Sequence, residues 1–166
     1  MVYYSNFFVP LVKRTFFIAK YGDAVCELSF SNDEKRFIEG LKKRFGDGIS
    51  NSGPELNKEI NQILEYFRGK REKFNIKFSL QGTKFQKKVW LEMLKIPYGK
   101  TISYWELAKK IKNENALRAV GTACGKNPVP VIIPCHRVIS KDGSLGGFGG
   151  GLELKSKMLE LESMNS

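Results

Sequence analysis

Between Asn127 and Val138 the chain carries prolines at 128, 130 and 134, and no other stretch restricts its folding as strongly. Each proline fixes φ and lacks a backbone N–H, so neither a helix interior nor a central strand can run through this segment. Residues that precede a proline are pushed toward extended backbone as well. We therefore expect a stiff, extended stretch buried by Val131, Ile132 and Ile133. It ends on Cys135, followed by His136, the only histidine among 166 residues. Adjacent side chains on extended backbone point to opposite sides, so a direct Cys135–His136 hydrogen bond would be strained there. If His136 activates Cys135, a bridging water or a local kink has to connect them. A third group must orient His136, and a C-terminal helix from Leu152 to about Leu161 offers Glu153, Glu160 and Glu162 nearby. Against this, a lone buried cysteine is inert as a rule. The residues alone leave Cys135 open between a structural and a reactive role.

Upstream the pattern is helical. Thr83 caps a helix carrying Phe85, Val89, Trp90, Met93 and Leu94, ended by Pro97-Tyr98-Gly99. Ser103-Tyr104-Trp105-Glu106 is a capping box that opens a helix through Leu107, Ala108 and Ile111. After Lys112-Asn113-Glu114, Asn115 is expected to cap a further helix, Ala116 to about Lys126. Its Ala116, Ala119, Gly121, Ala123 and Gly125 leave it almost bare, although a helical glycine costs about 0.5–1 kcal/mol relative to alanine. Two explanations stand: a helix-turn-helix whose thin second helix, bearing Arg118, admits another backbone, or a helix packed tightly on a neighbour.

Charge bears on that choice. The chain is +11 overall, and residues 81–135 hold 10 basic against 3 acidic groups. Such a concentration favours a polyanion, nucleic acid first and an anionic membrane surface second. A solvated lysine-rich surface would give the same count. Three unpaired cysteines and a single histidine argue against a disulfide framework and against a zinc site, so no metal and no cofactor are expected. No apolar run reaches the roughly 18–20 residues of a membrane span, and the N-terminus lacks a signal peptide's charge and apolar centre. An intracellular, cytoplasmic protein (nuclear in a eukaryote) is expected, in a reducing compartment.

Residues 1–80 read as a small α/β unit and residues 81–166 as a second, mostly helical one. Tyr3–Val9, Arg14–Lys20 and Ala24–Phe30 suggest a strand meander. Ser31-Asn32-Asp33 caps a helix with Phe37, Ile38, Leu41 and Phe45 on one face, ended by Gly46. Beyond a Gly/Asn/Ser loop, Pro54 opens a second helix with Leu56, Ile60, Ile63, Leu64 and Phe67, stopped by Gly69. Phe74, Ile76, Phe78 and Leu80 then alternate as an extended segment. No chemistry is visible in this half, and Cys26 reads as a small buried hydrophobe.

Pro134-Cys135-His136-Arg137-Val138, with Asn127-Pro128-Val129-Pro130 before it and Gly143-Ser144-Leu145-Gly146-Gly147-Phe148 after it, resembles the signature of the O6-alkylguanine-DNA alkyltransferases, the methylated-DNA–protein-cysteine methyltransferases. The resemblance runs from Gly82 to Glu162 through Phe85-Gln86-Lys87-Lys88-Val89-Trp90, Ile96-Pro97-Tyr98-Gly99, Ser103-Tyr104 and Arg118-Ala119-Val120-Gly121. Residues 1–80 resemble the family's ribonuclease-H-like N-terminal domain only in length and element order.

The resemblance implies that Cys135 accepts the alkyl group irreversibly, one lesion per molecule, with His136 as general base through a water and Glu162 orienting it. Asn127 corresponds to the family's brace of the active-site turn, and Tyr104 to a tyrosine that helps rotate the nucleotide and protonates guanine. Arg118 corresponds to the arginine that fills the gap left by the flipped base, on a minor-groove face with Ala119, Gly121, Thr122 and Lys126. Val138 and Cys135 would offer carbonyls to the guanine amino group and Gly149 an N–H to its oxygen. Phe148 stands where some members have tyrosine. The zinc ligands of some relatives are absent. The implied partner is double-stranded DNA containing O6-alkylguanine, bound by a monomer with no membrane involved. Two other classes compete: a binding-only lesion sensor, which carries tryptophan in place of the reactive cysteine, and a cysteine hydrolase, which would need an oxyanion hole.

Overall fold

Phe16, Phe17, Ile18 and Ala19 follow one another in β2 (Arg14–Tyr21) and all four are buried. Because successive strand residues point to opposite faces, a sheet containing this run must be covered on both sides. The computed structural model, which describes Met1–Ser166, provides that cover. β1 (Val2–Val9) pairs antiparallel with β2, placing Phe7 opposite Phe16, and β3 (Ala24–Ser29) pairs antiparallel with the other edge of β2. On one face Phe37 and Leu41 of α1 (Glu34–Phe45) pack with Val2, Tyr4, Phe17, Ala19 and Cys26. On the other, Phe16 meets Phe67 of α2 (Asn57–Phe67) with ring centroids 5.6 Å apart. Full burial of a phenylalanine is worth about 1.5–3 kcal/mol, so these rings anchor the layers.

The Gly/Asn/Ser loop expected after α1 contains a further strand, β4 (Ile49–Asn51), parallel to β1, so the order is β3-β2-β1-β4. Three residues are too few to show a period of two; backbone hydrogen bonds to β1 create this strand. Asp33 caps α1 by accepting from the Arg36 N–H at 3.0 Å, and Pro54–Leu56 form a single 3₁₀ turn before α2. The extended segment lies along β3, with the Val25 N–H donating to Lys77 and the Ser79 N–H to Val25. Cys26 is buried, its thiol directed at the Ala19 carbonyl and pushed up to about 11 by burial.

Met1–Leu80 form one compact unit and Gln81–Ser166 another. The second is mostly helical: α3 (Lys84–Met93), α4 (Tyr104–Lys110), α5 (Leu117–Gly125) and α6 (Leu152–Asn165). A two-stranded parallel ribbon joins β5 (Ile102–Ser103) to β6 (Val138–Ile139). Thr83 with Gln86, and Ser103 with Glu106, form complete capping boxes. The Trp90 indole N–H donates to the Ala123 carbonyl at 2.8 Å and ties α3 to α5. No helix is long and apolar enough to cross a membrane.

Two expectations are corrected. Asn115 does not cap α5. It lies inside a 3₁₀ turn, Glu114–Ala116, and α5 begins at Leu117 without a side-chain cap. Nor is the proline segment extended throughout. Val131 has φ +74°, and the Ile133 N–H reaches back to the Val129 carbonyl at 2.9 Å. Positive φ at a β-branched residue costs about 1–3 kcal/mol. Burial of Val131, Ile132 and Ile133 offsets that strain. The prolines exclude a helix, but they permit this doubled-back turn.

Candidate active site and nucleic-acid interface

The turn ends in a second tight bend: Cys135–Arg137 form one 3₁₀ turn leading into β6, so the kink considered for the cysteine and histidine is present. Asn127 holds the turn from the end of α5. Its amide donates to the Ile133 carbonyl at 2.8 Å, and its oxygen accepts the Val129 N–H at 3.0 Å. Cys135 is 7% exposed, and His136 is fully buried.

Of the three candidate acids on α6, only Glu162 reaches the histidine, with 2.6 Å between Oε1 and the His136 Nε2. Glu153 instead faces solvent and pairs with Lys157, and Glu160 is exposed. Glu162 is 1% exposed, and hydrogen bonds from His136 and Arg137 overcome its burial and draw its carboxyl down to about 2. Burial pushes the Cys135 thiol up, against a hydrogen bond from Asn127 and the nearby Lys155 ammonium, and pushes His136 down against the pull of Glu162. At rest the pair is therefore a neutral thiol beside a neutral imidazole.

Two residues of this site were not foreseen. Lys155 is fully buried and donates to the carbonyls of Val138 at 2.6 Å, Leu145 and Gly147. Its ammonium lies 5.7 Å from the Tyr104 ring centre and 6.0 Å from that of Phe148, so one cation gathers β6, the 145–148 loop and both rings. It also occupies one lone pair of the Val138 carbonyl. A lysine on the helical stripe Leu154, Lys155, Met158, Glu162 was the available signal. Arg137 is also buried, between Glu162 and the Ile96 carbonyl. The Tyr104 hydroxyl donates to the Gly147 carbonyl at 3.3 Å, and burial raises its pKa to about 12. Phe148 is half-buried, and Gly149 is exposed at the mouth of this region.

The bare helix is bare toward the outside. A Cβ added at Gly121 or Gly125 would meet nothing within 4 Å, which removes tight internal packing as the reason for those glycines. Arg118, Ala119, Thr122 and Lys126 are exposed along the same side of α5, and Val120, Ala123 and Cys124 face the core. A groove of about 580 Å³ runs between this face and Phe85 and Gln86 of α3. His, Cys, Asp and Glu side chains form no cluster able to hold a metal ion.

Fold and site together define a class: an α/β protein with a buried thiol beside a histidine–carboxylate pair, behind a helix that offers a basic, nearly side-chain-free surface. Residues 84–164 match the family model described as the 6-O-methylguanine DNA methyltransferase, DNA binding domain. The inducible methylated-DNA–protein-cysteine methyltransferase of Bacillus subtilis is 42% identical over 133 residues, which is 80% of this chain and 74% of that protein. The Methanosarcina barkeri protein is 45% identical over 132 residues, 78% of this chain and 82% of its own length. A Methanosarcina mazei relative is 49% identical over 105 residues, 63% of this chain and 66% of that protein. The crystal structure of Mycobacterium tuberculosis O6-methylguanine methyltransferase superposes with a TM-score of 0.86 at 34% identity, covering 100% of this chain and 95% of that one. The same protein in complex with DNA gives 0.86 as well, at 34% identity, covering 99% of this chain and 94% of that one.

The chain belongs to the methylated-DNA–protein-cysteine methyltransferases. It carries the family's DNA-binding domain and repairs O6-methylguanine in DNA by methyl transfer to a cysteine.

Proposed function

We propose that Cys135 is the acceptor, and that Met1–Leu80 is the family's ribonuclease-H-like domain while Gln81–Ser166 binds DNA and carries out the transfer. The observation that carries this assignment is that His136, in the same tight turn as Cys135, is joined at 2.6 Å to the buried Glu162 of α6. Cys26 and Cys124 have no such base beside them in sequence or turn. His136 takes the thiol proton through a bridging water, and the thiolate attacks the alkyl carbon. The S–C bond forms as the C–O6 bond breaks, and guanine leaves neutral after taking up one proton, delivered by Tyr104, which regains its own from His136 through solvent. The raised phenol pKa keeps Tyr104 protonated before transfer and draws a proton back to it afterwards. The thioether has no leaving group that water displaces, so each molecule repairs one lesion and the chain works as a monomer in the cytoplasm.

Reaching a base edge within a duplex means turning the nucleotide out, at a cost of a few kcal/mol. α4 and α5 act as a helix-turn-helix whose second helix enters the minor groove, because its outer face lacks side-chain bulk where Ala119, Gly121 and Gly125 lie. Arg118 occupies the vacated space, and Thr122 and Lys126 contact the backbone. Phe148 walls the pocket, Val138 and Cys135 accept from the guanine amino group, and the Gly149 N–H meets its oxygen.

Incubation with duplex DNA containing O6-methylguanine, then digestion and mass spectrometry, tests the assignment. One added methyl on the Cys135 peptide is expected, and none after Cys135→Ser, with lesion binding retained. Methyl on Cys26 or Cys124, or more than one turnover per molecule, would overturn it.

A further inference from the structure

The Glu162 carboxylate is gripped by more than the histidine. The Arg137 Nε donates to Oε2 at 2.9 Å and to Oε1 at 3.2 Å, and Nη2 donates to Oε1 at 2.9 Å. The backbone N–H of Gly99 donates to Oε2 at 3.1 Å. Arg137 is itself fixed by the Ile96 carbonyl, which accepts from Nη1 at 2.7 Å, and by the Tyr98 ring, 5.6 Å from its guanidinium carbon. Arg137 and Glu162 are 6% and 1% exposed, so this ion pair is shielded from salt and water.

The arrangement differs from an acid that has histidine as its sole charged partner. There the carboxylate charge is free to stabilise an imidazolium. Here a guanidinium already balances it, and Oε1 is shared between His136 and Nη2. We propose that Arg137 is a positioning residue for alkyl transfer: its fork fixes the carboxylate oxygen that faces His136 and takes up the carboxylate charge, so that the imidazole stays neutral and ready to accept the Cys135 proton. Passing that proton from Cys135 to His136 then leaves the net charge of the buried site unchanged.

Other charged and titratable groups act on the same imidazole. Glu162 and Lys155 face it from α6, Arg137 and Cys135 belong to its own turn, and Tyr98 backs Arg137 from the segment after α3. Cys124 on α5 and Tyr104 on α4 couple to Cys135. Of the two cations named, Arg137 is the one seen in direct contact with the carboxylate, and so it governs how much of the Glu162 charge His136 feels.

The inference rests on His136 acting as base, and the test separates the two. His136 is the only histidine, so its ring resonances titrate by NMR without ambiguity. Arg137→Met should raise the His136 pKa by at least one unit and move the acid limb of the pH–rate profile for methyl transfer up by the same amount. Arg137→Lys, which keeps the charge, should restore most of both shifts. Arg137→Met combined with Glu162→Gln, which removes both charges and spares the fold an unpaired buried ion, should bring the His136 pKa back to or below the wild-type value. An unmoved His136 pKa in the folded Arg137→Met protein would overturn the proposal. If that variant does not fold, a double variant whose His136 titrates above wild type would overturn it equally. A shifted NMR pKa with an unshifted rate profile would keep the coupling but refute His136 as the base, and with it the role of Arg137 in transfer.

Discussion

Replacing Glu162 with glutamine removes one negative charge from the buried site while keeping the side chain's shape. Arg137 would then lie buried at 6% exposure facing only neutral acceptors. Removing one partner of a buried ion pair costs about 3–5 kcal/mol, most of it the desolvation of the ion left behind. Linkage gives a second route to the magnitude. The carboxyl is drawn from an ordinary value of 4.5 down to about 2. At 1.36 kcal/mol per pKa unit, that depression corresponds to about 3 kcal/mol of stability. For a chain of this size, about 3 kcal/mol should lower the melting temperature by about 6–12 °C at neutral pH.

The sign sets the pH window. A depressed carboxyl stabilises the fold above its unfolded pKa, and the contribution disappears as pH falls from about 4.5 toward about 2. We therefore predict that denaturant unfolding gives a wild-type minus Glu162→Gln difference of about 3 kcal/mol at pH 7 that shrinks below pH 4.5 and is nearly gone at pH 2. His136 adds an earlier loss in both proteins: its folded pKa is depressed, so stability declines as pH drops below 6.5. A difference under about 1 kcal/mol at neutral pH, the range of an exposed ion pair, would refute the reasoning. So would a difference that persists undiminished in acid.

Arg118→Ala should slow repair of duplex DNA far more than reaction with the free alkylated base, since only the duplex carries the cost of flipping; equal losses would place Arg118 in the pocket or the fold. Lys126→Ala should weaken binding to any sequence alike and reduce the slope of log K against log salt by about one unit, which fluorescence anisotropy at several salt concentrations reads. Lys155→Met should leave the carbonyls of Val138, Leu145 and Gly147 short of a donor and lower thermal stability by several degrees, at about 1–3 kcal/mol per unsatisfied group; it should also move the Cys135 titration upward, and an unchanged thiol pKa would show that Lys155 serves the loop alone. Methylation of Cys135 adds volume at a site that is 7% exposed, so the modified protein should melt several degrees lower by calorimetry, because overpacking costs about 1–3 kcal/mol; equal melting temperatures would contradict this.

Local chemistry carried much of this protein's organisation into its sequence. The capping box at Ser103, the caps at Thr83 and Asp33 and the apolar stripes of α1 and α2 were legible because each depends on residues within one or two turns. β1 to β3 were legible because their aromatic runs are bounded by Pro10 and by Tyr21-Gly22-Asp23. Cys135 and His136 are neighbours in the chain, so their juxtaposition needed little tertiary information, whereas the brace at Asn127 was expected only from the family resemblance.

Tertiary structure decided the features that distant segments create. β4 and β5 are too short to show a period and exist as strands only through backbone bonds to β1 and β6. Val131 holds a left-handed conformation that its own sequence disfavours, because the packing around it outweighs the local cost. Gly121 could be read as packing against a neighbour or as leaving room for a partner until the space beside it was seen to be open. Arg137 and Lys155 look like solvated cations in sequence. Only when α6 lies against the Cys135–Arg137 turn do they become buried, because there a carboxylate and three backbone carbonyls replace the water they give up.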